Sequence, residues 1–126
     1  MKAYIFYAKK DSEWFDNINF TSDEQKHVPT VKNILEDYIQ VDVFDTDKSL
    51  RTAGGVSKVA EKIFAIYNDY TLNPLSAQNS MPKQNLLRIS GAGHTSMTVG
   101  DAILIGDKFY IADMVGFIIV PLKEEK

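Results

Sequence analysis

Apolar residues recur along this 126-residue chain with two different periods, and the last third carries the clearer pattern. Between Leu86 and Val120 three runs stand out: Ala102-Ile103-Leu104-Ile105, Phe109-Tyr110-Ile111-Ala112 and Phe117-Ile118-Ile119-Val120. Each is rich in β-branched or aromatic side chains and bounded by Gly, Asp or Pro, which predicts strands rather than helices. Gly106-Asp107 suits a type II′ hairpin turn between the first two. Gly100-Asp101 predicts a turn before the first run, Gly116 a bulge before the last, and Pro121, which has no N–H to donate, its end. The segment therefore reads as an antiparallel meander. Its runs do not alternate apolar with polar, so both faces of the sheet need cover.

Upstream, Ala3 to Ala8 is almost wholly apolar and predicts a strand inside the sheet. Asp11 to Phe20 reads as an irregular turn or one short helix, and Thr21 with Glu24 fits a capping box. Val31, Ile34, Leu35, Tyr38 and Ile39 form one helical stripe, predicting a helix from about Thr30 to Tyr38. Gln40 to Asp45 alternates and reads as a strand at the rim. A longer stripe, Val56, Val59, Ala60, Ile63, Phe64 and Tyr67, predicts a helix over Val56 to Tyr70, stopped by Asn73-Pro74. Leu75 to Asn85 shows no periodicity and reads as an unusually long connection. The order predicts a single α+β domain over residues 1–126: a mainly antiparallel sheet with a C-terminal β-meander and two helices packed on one face.

Composition narrows the function classes. With 44% hydrophobic and 25% charged residues the chain has the makings of a folded core rather than of a disordered segment. The formal net charge of −3 supplies no broad basic field, which argues against nucleic acid as a partner. The chain has no Cys, and this excludes disulfides, thiolate catalysis and Cys-based metal sites. The six residues Ala3 to Ala8 are too few for a signal-peptide core or a membrane span, so a cytoplasmic protein is expected. Two histidines, His27 and His94, with scattered acids do not make a metal-ligand spacing, and neither a metal nor a cofactor is expected.

Two stretches carry candidate chemistry. Ser90, His94, Thr95, Ser96, Asp101 and Asp113 bring hydroxyl, imidazole and carboxylate groups into the segment around the meander's first turn. A nucleophilic site needs a hydroxyl held by an imidazole that a carboxylate orients, but no strand-turn-helix elbow follows here. Turn geometry and backbone hydrogen bonding explain the same residues, and ligand or partner binding through such a loop outweighs catalysis. The second stretch is a candidate anion site: Arg51, Gly54, Gly55 and Lys58 at the start of the longer helix. It lacks the phosphate-loop spacing, and a tight turn into the helix accounts for its glycines.

The run His94-Thr95-Ser96-Met97-Thr98-Val99-Gly100-Asp101-Ala102-Ile103, followed by Tyr110-Ile111-Ala112-Asp113-Met114-Val115-Gly116-Phe117, resembles the S-[LM]-S-V-[SG]-D-V-[IV] … Y-x-x-D-x-x-G-F pattern of YodL-like domains of phages, plasmids and other mobile elements. Thr98 stands where Ser is usual and Ala102 where Val is usual, and the resemblance covers residues 93–117. It implies a small accessory protein acting in the bacterial host cytoplasm. The expected function is association with a host protein or with itself as a homodimer, without catalysis and without a membrane. The alternatives are a small-molecule or nucleotide-binding domain centred on Gly91 to Asp101, with hydrolysis in reach, and an RNA-binding module of the small-barrel kind.

Overall fold

The computed structural model describes residues 2–15, 28–45, 55–92, 94–113 and 116–122. Its elements, in chain order, are β1 (Lys2–Ala8), α1 (Val31–Asp37), β2 (Tyr38–Asp45), α2 (Val56–Tyr67), α3 (Met81–Ser90), β3 (Ala102–Ile105), β4 (Lys108–Ala112) and β5 (Phe117–Pro121). The strands form one antiparallel sheet in the order β2-β1-β3-β4-β5. The expected α+β class and C-terminal meander are therefore present. β1 lies inside the sheet, as its apolar sequence requires, while β2 and β5 form its edges. Gly106 turns the β3–β4 hairpin with φ at +63°, a conformation that costs a glycine little. The expected capping box at Thr21 and Glu24 lies outside the described residues.

The continuous apolar runs are explained by cover on both faces. Successive strand residues point to opposite sides. Ile5, Tyr7, Ile103, Ile105 and Tyr110 pack with Val59, Ala60, Ile63 and Tyr67 of α2 and with Leu87 of α3. Ala8, Ala102, Phe109 and Ile111 pack on the other face with Trp14 and with Ile34 of α1. The two helices that share a face are thus α2 and α3, and α1 closes the opposite one.

The helix α3 takes up the second part of the connection expected from Leu75 to Asn85, from Met81 onward, and continues to Ser90. Its local signals are present. Ser80 caps it by accepting the Lys83 N–H, a proline sits in its first turn, and Gly91 ends it in the left-handed conformation at φ +93°. Only Leu87 of this helix is buried, so it presents no apolar stripe for a periodicity argument to find. It is held at the sheet margin by an ion pair between Lys83 Nζ and Asp42 Oδ1 of 2.8 Å. Asp42 faces inward because of a register shift between Ile5 and Phe6: Ile5 pairs with Asp42 and Phe6 with Gln40. Val41 is the extra residue, and without it Asp42 would sit on the opposite side of the strand.

Candidate functional site

Gly91 ends α3, and residues 94–101 lead into β3. Asp101 among them is fully enclosed, yet its carboxyl group has three partners, two backbone N–H donors and the His94 imidazole. The Ala8 N–H reaches Oδ1 at 2.8 Å, and the Thr98 N–H and His94 Nε2 reach Oδ2, each at 2.9 Å. The His94 Nδ1 lies 2.7 Å from the Ala92 carbonyl oxygen, which can only accept, so Nδ1 carries a hydrogen. The imidazole stacks on Tyr7 with ring centroids 4.5 Å apart and touches Phe15 at 4.8 Å. Burial pushes the Asp101 carboxyl pKa above its ordinary value; the bonds from His94, Thr98 and Ala8 oppose that shift without reversing it.

This geometry constrains the chemistry of the loop. Each nitrogen of His94 already has a partner, Ala92 on one side and Asp101 on the other. A base that is to take a proton from Ser96 or Thr95 needs a nitrogen turned to that hydroxyl. The Thr95 hydroxyl instead donates to Gln84 Oε1 at 3.1 Å, and its carbonyl accepts from the Tyr7 hydroxyl at 2.8 Å and from Asn73 Nδ2 at 3.1 Å. What His94 and Asp101 do here is join the loop to β1.

The remaining sequence candidates scatter. Ser90 ends α3, its hydroxyl bonded to the Leu87 carbonyl at 3.1 Å. Asp113 lies after β4 beside a separate hollow shared with Glu61 and Phe117. Of the candidate anion site, Arg51 and Gly54 lie outside the described residues. Gly55 precedes α2 with φ +75°, and Lys58 pairs with Glu61 at 3.1 Å. Among the described residues no group of His, Cys, Asp and Glu could hold a metal ion, and no helix is long and apolar enough to cross a membrane.

Several concavities border α3, and none is legible in the sequence because the helix itself shows no apolar period. On one side is a groove of about 360 Å³ between α3 and β2, walled by Ile39, Val41, Leu86 and Ile89. Leu86 is 61% exposed and Ile89 81%. On the other side is a cleft of about 510 Å³ between α3, the end of α2 and the loop, where Thr95 and Ser96 meet Ser76, Gln84 and Arg88. Thr95 and Ser96 are the sequence candidates that the fold brings to a cavity of this size. Asn73 orders its floor: its amide donates to the carbonyls of Tyr67 and Thr95, and its Oδ1 accepts the Leu75 N–H at 2.9 Å.

The second polar cluster on this face serves the fold. The Tyr67 hydroxyl donates to Asp42 Oδ2 at 2.7 Å, while Lys83 holds the other carboxylate oxygen. Burial, and then the bond to Asp42, push the Tyr67 hydroxyl far above its ordinary range, so it remains a donor.

No family model matches the chain, and neither a curated protein nor a solved structure matches it.

Proposed function

We propose that this is a small non-enzymatic accessory protein that associates with another protein chain through the β2 edge and the apolar flank of α3. The partner is a second copy or a host protein, and the setting is a bacterial cytoplasm carrying a phage or other mobile element. The setting rests on the likeness of residues 93–117 to YodL-like domains.

The observation that carries the reading is the contiguity of Leu86, Ile89, Ile39 and Val41 beside an edge strand. Single exposed apolar residues are ordinary, but a connected apolar groove along an edge is a feature that partners use. Burying one such Leu or Ile is worth about 1.5–3 kcal/mol. The two edges also differ. β5 is five residues long and ends in Pro121, which blunts pairing, whereas β2 runs eight residues without a proline. An antiparallel edge is self-complementary, so two copies of β2 can pair about a twofold axis and bring their α3 flanks together.

Light scattering across a concentration series tests the self-association arm. The wild type is expected to form a dimer, and the double variant Leu86→Lys/Ile89→Lys a monomer with unchanged thermal stability. If the wild type is monomeric at every concentration, both proteins are immobilised and exposed to bacterial lysate. A partner held by the wild type and lost by the variant supports the host arm. Identical retention, or none, sinks the proposal.

A further inference from the structure

We propose that the cleft on the opposite side of α3 binds a small organic anion, a phosphate monoester or carboxylate carried on an apolar, planar body of roughly mononucleotide size. The site is independent of the association surface, because it uses the other flank of the helix.

Size is the first ground. At about 510 Å³ the cleft lies within the range that small ligands occupy, and it continues into a hollow of about 150 Å³ that shares Gln84, Arg88 and Thr95 and reaches His94. Charge is the second. Arg88 is the one charged side chain among the described residues that line the main cleft, and no carboxylate faces it there. Among the described residues one guanidinium N–H is committed, to Asn85, which leaves most of a five-donor fork for a bidentate anion.

Donor balance is the third ground. The Gln84 Oε1 is occupied by the Thr95 hydroxyl, which leaves the amide nitrogen of Gln84 as a donor beside Arg88. Ser76 is 2% exposed, and its hydroxyl has no hydrogen-bond partner among the described residues. Buried polar groups without partners are rare and costly, and this one belongs to a residue that lines the cleft. The walls thus offer donors in excess of acceptors. Tyr70 and Met81, both more than half exposed, supply an apolar surface at the same cleft for the body of the ligand.

The test is calorimetric titration of the full chain with adenosine and uridine 5′-monophosphates, with indole-3-acetate, and with neutral adenosine. Saturable binding of a nucleotide or of the carboxylate is expected, and which arm responds identifies the anion. Adenosine should bind roughly tenfold more weakly or worse, the worth of one charge-assisted hydrogen bond. Arg88→Gln should weaken anion binding by roughly tenfold or more. Ser76→Ala should melt at or above the wild-type temperature, since it removes an unsatisfied hydroxyl, and yet bind several-fold more weakly. The inference is overturned if no anion binds, if adenosine binds as well as the anions, or if either variant keeps wild-type affinity. Leu86→Lys/Ile89→Lys should bind the anion normally, which separates failure here from failure of the association surface.

Discussion

The carboxyl group of Asp101 is where single residues matter most. A carboxyl group without solvent contact survives only with partners around it: the Ala8 and Thr98 N–H groups donate to it, and His94 Nε2 shares a hydrogen with it. Because Nδ1 must donate to Ala92, the one exchangeable proton between the imidazole and the carboxyl group lies on the Nε2–Oδ2 line and belongs to the pair. Burial raises the Asp101 pKa, so the folded protein holds a proton that the unfolded chain releases near pH ~4. The sign follows: this group's contribution to stability is greatest below that pH and declines as the pH rises through the window up to the raised folded value. That is opposite to a carboxylate whose pKa is depressed by folding. The Asp101 side-chain carbon, followed by NMR, should titrate above the ordinary carboxylate range; titration at or below pH ~4 would contradict the account. Asp101→Asn turns one acceptor into a donor against a backbone N–H, and should cost on the order of 2–3 kcal/mol in chemical denaturation.

Elements are joined by similarly short polar residues. Asn73 ties the end of α2 to the loop before β3 through two carbonyls, and it stops the chain from drifting by capping Leu75. From the sequence, Asn73-Pro74 is a helix stop. Its larger work is across space, since Thr95 is 22 residues further on. Asn73→Ala leaves the buried Leu75 N–H without its acceptor and should cost about 2–3 kcal/mol by denaturant unfolding. A loss below about 0.5 kcal/mol would show that the loop is held by other contacts. α3 teaches a different lesson. Its boundaries are written in Ser80, Pro82 and Gly91, but a helix with one buried residue has no apolar period. Cap chemistry, not periodicity, was the signal that could have found it, and with it Gln84 and Arg88 of the cleft.

At the scale of the whole molecule, the sheet is a partition between two apolar clusters, and stability should follow distance from its middle. Ile5 is fully buried on the central strand β1, whereas Ile119 on the edge strand β5 is 48% exposed. Ile5→Ala should cost about 3–4 kcal/mol and Ile119→Ala under about 1 kcal/mol in urea unfolding, since a cavity forms only where neighbours close on the side chain from every side. Equal losses would mean that the β5 face is covered. The four strands outside β2 were legible as runs because short-range rules, β-branched content and turn residues, define them. The meander's hairpin was legible at Gly106-Asp107, where a positive φ demands glycine. β2 was legible as a rim strand, but its register was not.

What the sequence determined by itself is local: which segments extend, where they turn, and that continuous apolar strands require two covered faces. Tertiary structure alone decided which polar groups were taken inside. The bulge at Val41 turns Asp42 inward toward Tyr67 and Lys83, and Asp101 is enclosed by an N–H from Ala8, 93 residues earlier in the chain. The physical reason is that a turn is fixed by the dihedral limits of the few residues within it. The fate of a carboxylate, by contrast, is fixed by the donors that distant strands and helices bring to it once they pack.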